Sequence, residues 1–217
     1  MGSQETSTAS IQVLCEFGSA TVYEAQGARG ALDSGIKPIH PDMRVAGRAV
    51  TVDVRPGDNL MLHYAMLKVK SGDVLVVDAK GFLEAGPWGD VFTEQAVRQG
   101  VAGLVINGAV RDARSIIEMG FPVFCRGLCI KGTAKNQPGK LNVPVCIGDV
   151  QINPGDIVIG DQDGVVVVRQ DEVDDVIRSS QAREEKEAMF RAQIRDGATT
   201  VELLGLEQTL RRLNLDQ

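Results

Sequence analysis

The sequence has little of what marks several large protein classes. Aromatic residues make up only 4% of its 217 residues, and it has two histidines and four cysteines. The cysteines have the spacing of neither a disulfide framework nor a zinc site, and they are Cys15, Cys125, Cys129 and Cys146. We therefore expect free thiols in a reducing cytoplasm, and a core built mainly from Val, Ile, Leu and Ala.

Long apolar runs and clustered positive charge are also missing. No segment approaches the roughly 20 apolar residues of a membrane helix, and the N-terminal MGSQETSTAS lacks the apolar stretch of a signal peptide. The net charge of −6 argues against nucleic acid as a main partner, because phosphate binding needs clustered Lys and Arg. No G-x-G-x-x-G follows a strand, which excludes the usual dinucleotide site. These absences predict a cytoplasmic protein with no nucleic-acid or membrane partner, and they leave a small anionic ligand open.

The apolar residues that are present predict an α/β domain with a central parallel sheet. Strands are expected at 47–54, 74–79, 101–107 and 121–127, and helices at 10–26, 58–70, 88–100 and 111–120. Strands that alternate with helices pair in parallel. Strands and turns continue to about residue 170. Turns that end in Gly-Asp recur at 56–58, 71–73 and 154–156, either as common turn chemistry or as a trace of duplication.

The two ends of the chain differ from this middle part in composition. Residues 1–9 are polar and are expected to form a flexible tail. Residues 171–197 are highly charged, with apolar residues along one face, which predicts a long helix. We therefore divide the chain into a tail (1–9), a catalytic domain (10–170) and a C-terminal helical extension (171–217). The extension is expected to contact a neighbouring subunit.

The segment LVINGAVRDARSI at 104–116 contains the candidate functional residues. Arg111 and Asp112 follow a buried strand, and Asp90 follows the preceding strand in a glycine-rich loop. Parallel strands end at one sheet edge, so these side chains should meet. Arginine matches a carboxylate with two parallel hydrogen bonds, the first amides of a helix favour an anion, and an aspartate binds Mg²⁺. A surface ion pair, or Asp112 as a simple helix cap, explains the same residues without function.

These segments resemble a known family of enzymes. GRAVTV, SGDVLVVD, GPWGDVF, GVAGLVINGAVRD and FPVFCRG, in this order, are similar to the 4-hydroxy-4-methyl-2-oxoglutarate / 4-carboxy-4-hydroxy-2-oxoadipate aldolases, which share their fold with the regulator of ribonuclease activity A. The resemblance covers about residues 45–170. It implies a swivelling β/β/α domain, assembled as a homotrimer or homohexamer, with sites between subunits. It also implies a divalent metal, Mg²⁺ or Mn²⁺, and a 2-oxo acid substrate.

The resemblance implies a role for each matched residue. Arg111 would bind the pyruvyl carboxylate and steady the enolate, and Asp112 would be the metal ligand. Gly89, Asp90, Val91 and Phe92 match the stretch that contacts substrate through backbone amides, and Asp90 also matches the acidic residue that holds a metal-bound water. The catalytic glutamate from a neighbouring subunit's tail is matched best by Glu187, with Glu184 and Glu185 as alternatives.

Some residues depart from the family pattern or suggest other chemistry. Asn107 stands where much of the family has an aspartate, which alters the charge behind the site. Lys80 could in principle form a Schiff base, but a solvated loop lysine is the simpler interpretation. His63 lies outside the matched loops and is expected to pack on its helix, so no general base is evident.

The function predicted from these residues is a metal-dependent pyruvate aldolase. It would cleave 4-hydroxy-2-oxo acids such as 4-hydroxy-4-methyl-2-oxoglutarate to pyruvate and an oxo acid, and would decarboxylate oxaloacetate. The alternatives are a non-catalytic regulator that binds a ribonuclease, and a lyase of the same fold that acts on another oxo or sugar acid.

Overall fold

The computed structural model describes residues 6–215, which form helices around one large sheet. The helices are α1 (Thr8–Phe17), α2 (Ser19–Ala25), α3 (Leu60–Ala65), α4 (Asp90–Gln99), α5 (Ala113–Glu118), α6 (Val173–Arg195), α7 (Thr200–Leu204) and α8 (Glu207–Arg212). The strands are β1 (Lys37–Pro38), β2 (Val45–Asp53), β3 (Asp73–Phe82), β4 (Gly103–Val110), β5 (Val123–Cys125), β6 (Gly127–Leu128), β7 (Lys140–Leu141), β8 (Val145–Ile147), β9 (Val150–Ile152), β10 (Ile157–Asp161) and β11 (Gly164–Val168).

The large sheet is parallel at its centre and antiparallel at its edges. Its order is β1-β5-β4-β3-β2-β10-β11, with β6 added to β4 and β7 to β2, and β8 and β9 form a separate hairpin. The pairs β2–β3, β3–β4 and β4–β5 are parallel, as predicted. Ala31 forms a bridge with Val166 of β11 and lies a few residues before β1 at the opposite edge, so the sheet is nearly closed. The predicted α/β class with a C-terminal helical extension is confirmed.

The strand sequences explain why the sheet is covered on both sides. Every residue of β4 is buried, and β3 is buried from Val74 to Ala79, as expected for continuous apolar runs in a parallel sheet. One face packs against α3, α4 and α5 through a cluster that includes Leu62, Ala96 and Ile116. The covered sheet therefore leaves its strand ends as the place for polar chemistry.

Two predicted helices differ from the structure. The helix expected over 10–26 is two helices, because Gly18 has a φ of +81° and breaks the chain direction between α1 and α2. The helix expected over 58–70 ends at Ala65, where the amides of Leu67 and Lys68 bond to carbonyls three residues back and form turns. The break gives α1 and α2 separate orientations over β10 and β11.

Helix α1 begins within the predicted N-terminal tail, and helix α6 begins inside the core. Residues 1–5 of the predicted tail lie outside the described residues, and Thr8 and Ala9 already belong to α1. Helix α6 begins inside the core, since Val173 and Val176 are buried with α1 and β10. Within residues 6–215, no helix combines the length and the apolar character that crossing a membrane requires.

Candidate active site

The carboxyl end of β4 passes directly into the arginine and aspartate identified in the sequence. Asp112 has a φ of +57°, the left-handed region that non-glycine residues rarely adopt, so the chain turns sharply before α5 begins. The backbone N–H of Arg111 donates to the carbonyl of Trp88 at 2.9 Å. This hydrogen bond holds the exit of β4 beside the loop that precedes α4, as the parallel order predicted.

Trp88 anchors that loop in the core. Its side chain is fully buried and stacks on Phe92 and Phe121, with ring centroids 5.0 and 6.0 Å apart. Its indole Nε1 donates to Thr93 Oγ1 at 2.8 Å, and that hydroxyl donates to the carbonyl of Gly89 at 3.0 Å. Because every polar atom of this anchor has a partner, the start of α4 is held rigidly.

Gly89 is the point where the two loops touch. A Cβ at this position would lie 2.4 Å from Asp112 Oδ2, closer than a Cβ approaches another heavy atom, and in tight contact with Arg111 Nε at 3.0 Å. Its φ of −150° is open to any residue, so glycine is needed here for space and not for backbone conformation. The predicted cluster of Gly89, Asp90, Arg111 and Asp112 is therefore brought together.

The Asp112 carboxylate faces this contact and does not cap its own helix. It occupies the N-cap position of α5, yet its side chain makes no capping hydrogen bond. Its Oδ2 accepts from the backbone N–H of Asp90 at 3.4 Å and lies 3.2 Å from Arg111 Nε. The cap interpretation of Asp112 is thus wrong, while the ion pair with Arg111 is present. Asp90 Oδ1 accepts from the N–H of Val91 at 2.7 Å, so one N-terminal amide of α4 is already used.

A cavity of about 380 Å³ opens beside these loops. Arg111 lines it with part of its side chain still accessible, 44% exposed, and of the predicted substrate-binding stretch Gly89, Val91 and Phe92 also line it. The remaining lining residues are Asn59, His63, Gly86, Pro87, Gln95, Gly132, Thr133 and Lys135. A guanidinium in a partly enclosed space of this size suits a small carboxylic acid.

Sequence reasoning missed two functional groups in this cavity. His63, expected only to pack on its helix, lines the cavity with its ring 4.5 Å from that of Phe92. Burial and, to a lesser extent, the charge of Lys135 lower the pKa of His63, so its imidazole is neutral at pH 7. Lys135 adds a second cation from a loop with no sequence signal of its own. Only the long-range pairing of that loop with α3 could have located it.

That pairing depends on Asp58, which lies just before α3 and is 2% exposed. Its Oδ1 accepts from the N–H of Leu60, and its Oδ2 accepts from those of Asn136 and Gln137 at 2.8 and 3.1 Å. Burial opposes ionisation, but these three amides outweigh it and lower the pKa of Asp58. Asp58 thus fixes the segment that carries Lys135 against the start of α3.

Other residues from the sequence analysis lie elsewhere. Glu187 is on α6, paired with Arg183 at 2.9 Å and Arg191 at 3.1 Å, and is not among the residues that line the cavity. Lys80 lies 2.7 Å from Asp53 and 2.6 Å from Asp78. Burial disfavours the charged amine, yet these two carboxylates raise the pKa of Lys80, which makes it a poor Schiff-base nucleophile.

Asn107 occupies the position where the resembling family carries an aspartate. It is buried, and its amide donates to Asp78 Oδ1 at 2.9 Å and accepts from Arg126 Nε at 2.5 Å. A neutral amide can do both, whereas an aspartate would face the Asp78 carboxylate with a like charge. Asn107 is therefore matched to its neighbours in this chain.

Comparisons with known proteins agree on the family and the fold of this chain. The family model described as RraA-like, Aldolase/RraA, matches residues 19–167. A protein of Halalkalibacterium halodurans with the provisional name 4-hydroxy-4-methyl-2-oxoglutarate aldolase is 41% identical over 162 residues, which cover 74% of this chain and 77% of that protein.

Two solved structures share the fold. An uncharacterized protein from Pseudomonas syringae pv. tomato is 31% identical with a TM-score of 0.83, and the match covers 94% of this chain and 96% of that one. Streptomyces coelicolor RraAS2, described as an unusual member of the RNase ES inhibitor RraA protein family, is 31% identical with a TM-score of 0.77, over 87% of this chain and 98% of that one. These relatives include both enzyme and inhibitor descriptions.

Proposed function

The chain belongs to the RraA-like family of aldolases and RraA proteins, and on that premise we propose that it is a divalent-metal-dependent pyruvate aldolase. It would cleave 4-hydroxy-2-oxo acids, such as 4-hydroxy-4-methyl-2-oxoglutarate, to pyruvate and a second oxo acid. Decarboxylation of oxaloacetate, which passes through the same enolate, would be a side activity. At the family level a lyase is supported by the 41% identical relative.

One observation carries this proposal: Arg111 and Gly89 line a cavity together with His63 and Lys135, and both lie against Asp112 just behind that lining. Arg111 presents a planar guanidinium to the pyruvyl carboxylate of the substrate. Lys135 supplies a second positive charge for a distal carboxylate, which favours dicarboxylic oxo acids. The start of α4 adds the partial positive charge of a helix N-terminus.

The residues around Asp112 fit a magnesium-type ion. Among residues 6–215, no three His, Cys, Asp or Glu side chains cluster as a closed metal site would require. Mg²⁺ and Mn²⁺ need less, because Mg²⁺ typically takes one or two protein carboxylates and keeps several waters. Asp112, with Asp90 beside it, supplies that set, and a side chain at residue 89 would crowd Asp112 Oδ2. When bound, such an ion would supply Lewis-acid stabilisation of the charge that develops on the 2-oxo oxygen.

The remaining tasks fall to the protein's own side chains. Arg111 would hold the substrate by its carboxylate, and its charge favours the electron-rich transition state. His63 is neutral at pH 7 and lines the cavity, so it is available to exchange a proton with the bound acid. Val91 and Phe92 give the cavity an apolar wall, which strengthens these electrostatic interactions.

The test is pyruvate release from 4-hydroxy-2-oxo acids and from oxaloacetate, measured with a coupled assay. EDTA should abolish release and Mg²⁺ or Mn²⁺ should restore it. Asp112→Asn should lower kcat/KM by at least about a hundredfold while the fold persists, since such electrostatic groups contribute effects of that size. Undiminished turnover in Asp112→Asn, or full activity in EDTA, would refute the proposal.

The second candidate is a regulator that binds a ribonuclease, and the similarity to RraAS2 favours it. The contact of Gly89 with Arg111 and Asp112 speaks for the enzyme, because a binding protein has no need to keep this cavity edge clear. Capture of a ribonuclease by the purified protein, together with no lyase activity on any oxo acid, would decide for the regulator.

We also propose that the protein is a homotrimer or homohexamer with sites between subunits. The edge next to the cavity loops exposes apolar side chains that a second copy would cover, namely Leu83, Leu128 and Ile130, which are 45%, 62% and 93% exposed. In such an assembly Glu187 of one subunit would approach the site of the next. Analytical ultracentrifugation of the purified protein tests the subunit number.

A further inference from the structure

Asn59 is buried beside the cavity with one of its polar atoms unpaired. It is 6% exposed and occupies the N-cap position of α3, and its backbone N–H donates to the carbonyl of Ala134 at 3.0 Å. Its side-chain Nδ2 donates to the carbonyl of Pro87 at 3.0 Å. Within residues 6–215, its Oδ1 has no hydrogen-bond partner.

The orientation of the amide is set by its neighbour. The Pro87 carbonyl can only accept a hydrogen bond, so the side chain must turn its NH₂ group toward Pro87 and its oxygen away. Asn59 Oδ1 is therefore an acceptor held in a fixed place. Buried acceptors without a donor are rare in folded proteins, which makes an exception an indication of a missing partner.

The cavity beside Asn59 can supply the missing donor. The described residues leave three other buried side-chain polar atoms unpartnered, on Arg48, Gln99 and Ser180, and none of these residues lines the cavity of Arg111. Asn59 does line it. The cations Arg111 and Lys135 in the same cavity favour an anionic ligand, and Asn59 favours a ligand that carries a hydrogen-bond donor. A hydroxy acid meets both conditions.

We propose that Asn59 is the specificity-determining residue for a substrate hydroxyl, and that its Oδ1 accepts the O–H hydrogen bond of the hydroxyl on carbon 4 of the bound 4-hydroxy-2-oxo acid. This inference rests on the proposed function. An amide is not basic, so Asn59 orients the hydroxyl and does not remove its proton. Acids without that hydroxyl leave Oδ1 unpaired and are disfavoured. Asn59 would thus favour aldol cleavage over oxaloacetate decarboxylation, because oxaloacetate has no hydroxyl on carbon 4.

Asn59→Leu tests this inference against a matched control, Gln99→Leu. Gln99 also donates its amide to a backbone carbonyl, that of Met66 at 3.1 Å, and leaves its oxygen unpaired, but it lies outside the cavity. Asn59→Leu should lower kcat/KM for a 4-hydroxy-2-oxo acid at least about tenfold more than for oxaloacetate, as the loss of one hydrogen bond predicts. Gln99→Leu should change both activities equally or not at all. Equal losses on both substrates in Asn59→Leu would overturn the inference.

A binding measurement separates this inference from the proposed function. Calorimetric titration without metal, using 4-hydroxy-2-oxoglutarate and 2-oxoglutarate, compares two acids that differ only in the hydroxyl. The wild type and Gln99→Leu should prefer the hydroxylated acid at least about fivefold, and Asn59→Leu should lose the preference. That result would support the role of Asn59 even if no lyase activity were found. Equal binding of the two acids by the wild type, or binding of neither, would refute it even if the protein were an aldolase.

Discussion

At the scale of single residues, Gly89 offers the sharpest test of the proposed site. Gly89→Ala adds one methyl group that would lie 2.4 Å from Asp112 Oδ2, so either the carboxylate or the loop must move. Misplacement of a catalytic group by about 1 Å costs up to a hundredfold in rate, so we expect kcat/KM for pyruvate release to fall by one to two orders of magnitude. The melting temperature should change little, because the backbone at Gly89 accepts alanine.

The control for Gly89→Ala is Gly127→Ala. A Cβ on Gly127 meets no atom within 4 Å, and its backbone does not need glycine. Activity that falls equally in both variants would mean that alanine acts through general destabilisation. Activity unchanged in Gly89→Ala would mean that the geometry of Asp112 is not needed for turnover.

His63 gives a second prediction at this scale, through its protonation. Its lowered pKa should appear as an NMR titration midpoint below the ordinary 6.5, and Lys135→Met should raise that midpoint by removing the second cause of the shift. In the unfolded chain His63 binds its proton more readily, so the folded protein loses stability as pH falls from about 6.5 through the folded pKa. A midpoint above 6.5 in the wild type would contradict this account.

At the scale of elements, the two Pro-Gly-Asp turns show how one motif serves different ends. Asp156, in the turn at 154–156, accepts from Asn153 three residues away, whereas Asp58 accepts from amides almost 80 residues away. Burial raises the pKa of Asp156, despite its hydrogen bonds, while the three amides lower that of Asp58. The same turn thus makes different contacts in its two copies, and only the copy at 56–58 supports the cavity.

Asp58→Asn should loosen the segment that carries Lys135. Asparagine replaces one carboxylate oxygen with an NH₂ group that only donates, so at least one of the three hydrogen bonds is lost. Loss of a hydrogen bond to a charged acceptor costs roughly 1.5–3 kcal/mol. We expect faster amide hydrogen exchange at Asn136 and Gln137 and a higher KM for dicarboxylic substrates, with kcat less affected. Asp156→Asn is the matched control and should leave both measurements unchanged. Unaltered exchange at 136–137 in Asp58→Asn would show that Asp58 does not hold this segment.

The elements that the sequence predicted well are those with local signals. The strands within 74–79 and 101–107, the helix stop at Gly100 and the meeting of Asp90 with Arg111 and Asp112 follow from apolar runs and parallel order. The placement of His63 and Lys135 does not, because it depends on contacts between α3 and residues 134–137 that no local pattern encodes. The left-handed backbone conformation of Asp112 could not be predicted from the sequence either, since aspartate tolerates this conformation without requiring it.

At the scale of the whole molecule, the cavity lies beside the strand ends of the sheet, while the long helix α6 lies away from it. The nearly closed sheet places its parallel strand ends at the cavity, and α6 packs on α1 and α2 over a separate part of the core. Met189 and Ile194 on α6 are 62% and 43% exposed within the single chain, and no residue that α6 buries belongs to the cavity. Because α6 contributes no residue to the cavity of its own chain, we expect Glu187 to serve the site of another subunit in the proposed assembly.

Subunit mixing tests that assembly directly. If Glu187 of one subunit completes the site of the next, Asp112→Asn and Glu187→Gln are each inactive alone but compensate when they share a trimer. After unfolding and refolding an equal mixture, about one quarter of the sites should combine an intact Asp112 with a neighbour's intact Glu187, so about a quarter of wild-type pyruvate release should return. Asp174→Asn in place of Glu187→Gln controls for general loss of negative charge on α6, since Asp174 is an exposed residue of its first turn, and should be active alone. If the refolded mixture is no more active than its parents, Glu187 acts within its own chain or not at all.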